Sequence, residues 1–107
     1  MKIERDLYPR MSLEEFANTH GLTLKITERV MDEWQRRNGI ERFTAQFDGV
    51  EVGRDGILSG VYGNGNTESE AIADYVRKIS RKPRLVVDAM KPTRRDIYRV
   101  PDLSYES

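Results

Sequence analysis

The chain has no cysteine, so neither disulfides nor thiolate metal sites can staple its fold. It has one histidine, His20, and a zinc site would need several carboxylates, which do not cluster at ligand spacing. Net charge is also absent: 18 basic residues balance 18 acidic ones, and no global field draws the chain to nucleic acid or to a membrane surface. No apolar run approaches the roughly 18–20 residues of a membrane helix, and the opening residues, MKIERDLYPR, lack the apolar stretch of a signal peptide. These absences predict a reduced, soluble, cytoplasmic protein without a membrane partner. Its 107 residues, 37% hydrophobic and 34% charged, suffice for one modest core under a heavily charged surface.

What is present is local and patterned. Ser12-Leu13-Glu14-Glu15 is a capping box, and Leu13, Phe16 and Ala17 follow at helical spacing, so a first helix is expected over about 12–20 with Gly21 as its stop. Leu22, Leu24 and Ile26 alternate with Thr23, Lys25 and Thr27, the period of a half-buried strand. Residues 30–40, VMDEWQRRNGI, break that alternation and fit one helical turn or a long connection, with a tight turn at Asn38-Gly39. A second strand runs from Arg42 to Val52, interrupted at Asp48-Gly49. Arg54-Asp55-Gly56 signals a hairpin, and residues 57–62 return.

Gly63-Asn64-Gly65-Asn66 suggests a turn tolerant of positive φ. It precedes a second capping box, Thr67-Glu68-Ser69-Glu70, and a helix with Ala71, Tyr75, Val76 and Ile79 on one face, ending near Arg81 ahead of Pro83. Leu85-Val86-Val87 is a short apolar strand, and residues 101–107 have the look of a tail. The expected organisation is an N-terminal arm over 1–11, a single α+β domain over 12–90 and a C-terminal extension over 91–107. Its expected architecture is a two-layer sandwich. A three-stranded antiparallel sheet carries two helices on one face, in the order α-β-β-β-α, and a short strand and tail follow.

That order and three stretches, "SLEEFANTHGLTLKITE", "RFTAQFDGVEVGRDGILSGVYGNG" and "TESEAIADYVRKI", resemble the double-stranded RNA-binding domain over about residues 12–80. The resemblance implies the fold and, in that family, a lysine-rich helix start that straddles phosphates. Here Thr67, Glu68, Ser69 and Ile72 stand where the serine and three lysines would be, and no histidine lies in residues 29–41. At about 6 Å and an effective dielectric of about 20, each of Glu68 and Glu70 repels a phosphate by roughly 3 kcal/mol before salt screening. The same carboxylates stabilise a helix N-terminus. The capping box and the stretch "GNGNTESEAIADYVRKIS" also resemble small accessory proteins of bacteriophages and prophages. That likeness implies an intracellular protein acting by contact with host or phage macromolecules, including inhibition of a host defence nuclease.

Gly60, Gly63 and Gly65 lack the lysine and hydroxyl of a P-loop and the spacing of a dinucleotide fingerprint, so no nucleotide cofactor is implied. His20 is expected to favour the helix dipole at the end of the first helix. Glu14-Glu15 and Asp32-Glu33 are neighbours that point about 100° apart and do not converge on one proton. With no nucleophile–base set, metal cluster or cofactor motif, the sequence points away from an enzyme. Two features suggest a binding face. One is Trp34 with Arg36 and Arg37, residue types favoured at interface hot spots. The alternative there is that Val30 and Trp34 pack the turn onto the sheet. The other is the segment 75–99, with nine basic residues against two acidic ones, which includes Arg77, Lys78, Arg81, Lys82, Arg84, Arg94 and Arg95. Tyr98 and Tyr105 could dock on a partner or fold back on the body. The expectation is a non-enzymatic macromolecule-binding protein, of phage accessory or host-defence-inhibiting type, that contacts a host or phage protein. The alternative is a nucleic-acid-binding domain using the basic C-terminal segment. The oligomeric state is left open, a homodimer included.

Overall fold

In chain order the elements are β1 (Arg10–Ser12), α1 (Leu13–His20), β2 (Leu24–Glu28), α2 (Glu33–Arg37), β3 (Phe43–Phe47), β4 (Val50–Arg54), β5 (Ile57–Ser59), β6 (Gly63–Gly65), α3 (Glu68–Ile79), β7 (Arg84–Val87), β8 (Arg95–Tyr98) and β9 (Asp102–Ser104). The computed structural model describes residues 1–3 and 9–106, and the fold is α+β. Residues 4–8 of the predicted N-terminal arm lie outside the described residues.

The helix signals act as expected. Ser12 Oγ accepts the Glu15 amide at 3.1 Å, and Gly21, left-handed at φ 64°, closes α1 with its N–H on the Ala17 carbonyl. Thr67 Oγ1 accepts the Glu70 amide at 3.1 Å and starts α3. Ala71, Tyr75, Val76 and Ile79 are the buried residues of that helix. It stops at Ile79 rather than near Arg81, because Ser80 and Arg81 leave the helical region, Arg81 at φ 62°.

The long second strand bends where Asp48-Gly49 interrupts it, with Gly49 at φ 70°. Before the break β3 pairs antiparallel with β2 and β6, and after it β4 pairs with β5 and β7. The break transfers one edge of the strand from one neighbour to another: Asp48 donates its N–H to the Thr23 carbonyl, while Gly49 offers its carbonyl to the Asp88 N–H. Two sheets result, β2-β3-β6 and β5-β4-β7-β8, with a parallel β1-β9 pair beside them. The β4–β5 turn has positive φ at both Asp55 and Gly56, the geometry that suits the strand twist of a tight hairpin.

The glycine stretch departs from expectation. Neither Gly63 nor Gly65 has a positive φ, and they form β6 rather than a turn. Glycine is required there because α3 lies directly over the strand. A Cβ at Gly63 would sit 2.7 Å from the Tyr75 Cβ and closer still to the Ala71 carbonyl oxygen and the Tyr75 nitrogen, and one at Gly65 would sit 2.6 Å from the Glu70 Cβ. The outer edge of β6 is then closed by that helix. Asp74 accepts the Asn64 N–H at 2.9 Å, and Lys78 donates to the Tyr62 carbonyl at 3.1 Å.

Phe47 of β3 joins the helices. Its ring meets Phe16 of α1 at 6.2 Å and Tyr75 of α3 at 5.5 Å edge-on. The residues expected to trail as a tail are built into this body. Val100 and Leu103 are buried, Tyr105 packs against the core, and Ser80 Oγ receives the Leu103 N–H at 3.0 Å. Asp102 donates to the Pro9 carbonyl at 2.8 Å, next to the parallel β1-β9 pair. Tyr98, in contrast, is exposed on β8.

Candidate functional site

The connection from β2 to β3 is a defined loop. Its ends are joined by the Arg29 N–H donating to the Arg42 carbonyl at 2.8 Å. Within it Asp32 and Gln35 form a reciprocal capping box at 2.8 and 3.0 Å, which starts α2. Asn38 closes the turn, its side-chain amide donating to the Trp34 carbonyl at 2.8 Å, and Gly39 follows at φ 68°. This five-residue helix buries no residue.

Trp34 and Val30 therefore do not pack onto the sheet, the alternative raised by their spacing. Trp34 is 64% exposed and Val30 97% exposed. Capping and the turn at Gly39 hold the loop off the sheet, which leaves these side chains in solvent. Among the charged residues of the loop, Glu33 binds Arg37, and Glu28 binds Arg42, whose guanidinium also lies 5.3 Å above the Phe43 ring. Arg29 and Arg36 have no carboxylate partner among the described residues. A cleft of about 740 Å³ opens beside the loop, and Arg29, Val30, Met31, Arg36, Ile40 and Arg42 line it. Sequence spacing named Arg36 and not Arg29, Met31 or Ile40. The available signal was the hairpin register, which brings the two loop ends together.

The second predicted face is largely satisfied from within. Arg77 and Lys78 both reach Asp74, Arg81 reaches Asp102 at 3.2 Å and Arg84 reaches Asp96 at 3.2 Å. Asp74 and Asp102 stand just outside the basic segment, so a charge count confined to it omits them. Arg84 is half-buried with its aliphatic stem across Gly53 of β4. Arg95 donates to the His20 carbonyl, and Lys82 and Arg94 have no carboxylate partner among the described residues. The segment's arginines and lysines thus spread over the end of α3, β7 and β8, while Trp34, Arg36 and Arg37 share α2.

Titration follows these contacts. Burial, and then the charge of Arg95, hold His20 below its ordinary 6.5, and Arg95 sets its own charge at the carboxyl end of α1 by donating to the His20 carbonyl. Burial pushes the Asp74 carboxyl upward. The hydrogen bonds from Lys78 and the Asn64 amide, with the charges of Lys78 and Arg77, outweigh it and leave Asp74 below its ordinary value. At the start of α3 the amides are engaged internally: besides the Thr67 cap, Glu70 accepts the Asn66 N–H at 3.0 Å. Among the described residues no group of three or more His, Asp or Glu side chains is placed to hold a metal, and no helix is long and apolar enough to cross a membrane. No protein-family model, curated protein or solved structure matches the chain.

Proposed function

We propose that this protein is a non-enzymatic interaction module that holds a partner protein through the β2–β3 loop, with Trp34 as the anchor. The observation that carries this reading is the exposure of the chain's one tryptophan, beside exposed Val30, on a loop that internal bonds already order. Burying such a ring removes on the order of 150–250 Å² of surface from water, and a pre-ordered loop loses little entropy on docking. Arg36 and Arg37 follow the tryptophan on the same short helix. The arrangement of α1 and α3 around Phe47 on the β2-β3-β6 sheet supports a likeness to the double-stranded RNA-binding fold. The self-capped, acidic start of α3 argues for protein rather than duplex RNA as the partner.

The test is quantitative affinity capture from a cell lysate with immobilised wild type and Trp34→Ala, both checked for equal thermal stability. A protein enriched by the wild type and lost by Trp34→Ala is the expected result. Equal retention on both matrices refutes the anchor. RNA captured in place of protein, and released by the pair Arg81→Glu and Lys82→Glu, would move the function to the basic C-terminal segment.

A further inference from the structure

We infer that the cleft beside the β2–β3 loop binds the carboxylate of an acidic peptide segment carrying aliphatic side chains. The inference deepens the interaction reading of the same loop and rests on it for the identity of the partner as a protein. Three observations lead to it. The wall carries three arginines, and its one acid, Glu28, is already held by Arg42. None of the other loop carboxylates lines the cleft: Glu33 is held by Arg37, Asp32 caps α2 through the Gln35 amide, and Glu41 lines a separate hollow with Asn64 and Arg77. Arg29 and Arg36 thus line the cleft with no carboxylate partner among the described residues.

The remaining wall is the apolar Val30, Met31 and Ile40, with Gly39 and Asn66. Two guanidiniums beside an apolar surface match a carboxylate taken in forked hydrogen bonds together with a Leu- or Ile-like side chain. The volume of about 740 Å³ lies within the range of small-ligand sites and accepts a short peptide. Nucleic acid fits less well. It calls for a continuous basic track and aromatic faces for bases, whereas neither a lysine nor an aromatic ring lines this cleft.

The experiment is a titration followed by amide and arginine side-chain nuclear magnetic resonance shifts. The probes are the peptide Ac-Leu-Asp-Glu-Leu-NH2, its uncharged analogue Ac-Leu-Asn-Gln-Leu-NH2, inorganic phosphate and a short single-stranded DNA. The acidic peptide is expected to move Arg29, Arg36, Gly39 and Asn66, and the uncharged analogue to bind at least tenfold more weakly. Arg29→Gln and Arg36→Gln are each expected to weaken the acidic peptide about tenfold. Arg36→Lys is expected to recover part of that loss, and added salt to weaken binding throughout. Equal binding of the two peptides, no shifts with either, or tighter binding of the DNA or phosphate would each overturn the assignment. Trp34→Ala separates the two proposals. If lysate capture survives that change while the peptide still occupies the cleft, the anchor fails and the cleft stands. If capture is lost but no peptide binds, the reverse holds.

Discussion

Replacing Gly63 with alanine tests the central claim about the glycine strand, that it exists to let α3 approach. The new Cβ would lie 2.7 Å from the Tyr75 Cβ and nearer still to two backbone atoms of α3. Contact between carbons is comfortable near about 3.5–4 Å, so the helix has to retreat by roughly 1 Å. No side-chain rotation relieves the clash, because the obstacle is backbone and Cβ. The retreat loosens Ala71, Tyr75, Val76 and Ile79 together and lengthens the edge bonds from Asp74 to the Asn64 amide and from Lys78 to the Tyr62 carbonyl. Overpacking commonly costs about 1–3 kcal/mol, and this site lies at the top of that range or above it, at about 3 kcal/mol. For a domain of this size that lowers Tm by roughly 12–24 °C. Gly60→Ala is the control: nothing lies within 4 Å of its Cβ, its φ is not left-handed, and it is expected to be neutral or stabilising by up to about 1 kcal/mol. The assay is urea unfolding of both variants followed by circular dichroism. Stabilities within about 0.5 kcal/mol of each other would refute the close-approach argument.

Three further outcomes follow from named contacts. Asp74, whose side chain is 13% exposed, holds β6 to α3, so Asp74→Asn is expected to cost about 1–3 kcal/mol in denaturant. Because its folded pKa is depressed, its contribution is present above the ordinary carboxylate value of 3.8 and is lost as pH falls below it. Asp74→Asn should therefore flatten the acid limb of a stability–pH curve, and an unchanged limb would count against the contact. Burial pushes the Tyr75 phenol up to about 12, a hydrogen bond with the Phe47 backbone opposing it. Stability is then full below pH 10 and falls through pH 12 by roughly 2–3 kcal/mol, and a phenol absorbance titration that shows all five tyrosines ionising together near 10 in the folded protein would contradict this burial. Trp34→Ala should change stability by no more than about 0.5 kcal/mol, and the wild-type indole should be fully open to collisional quenchers; a protected, blue-shifted emission would show that the ring is covered.

The sequence by itself determined the elements whose stabilising contacts are local. Ser12 and Thr67 cap helices three residues away, Asp55-Gly56 turns the β4–β5 hairpin, and the spacing of Ala71, Tyr75, Val76 and Ile79 names the buried face of α3. It also placed Trp34 and Arg36 in the connection between two strands, because no alternation carries the β2 pattern through residues 30–40, while the packing of the ring on the sheet or in solvent stayed open. Only the tertiary structure decided what depends on distant partners. The Asp48-Gly49 interruption was visible, yet the exchange of neighbours from β2 to β7 requires a strand some 35 residues further on. The basic segment looked unpaired because Arg84 meets Asp96 across the β7–β8 pair and Arg81 meets Asp102 of β9, contacts that no local period encodes. The glycines of β6 carry no side chain to announce burial. Whether Gly63 serves a turn, a phosphate or a helix depends on what lies against it, and that is settled by the packing of α3. Hydrogen bonds within a few residues of each other are written in the order of the chain, whereas close approach and charge pairing across the fold are set by which surfaces the core brings together.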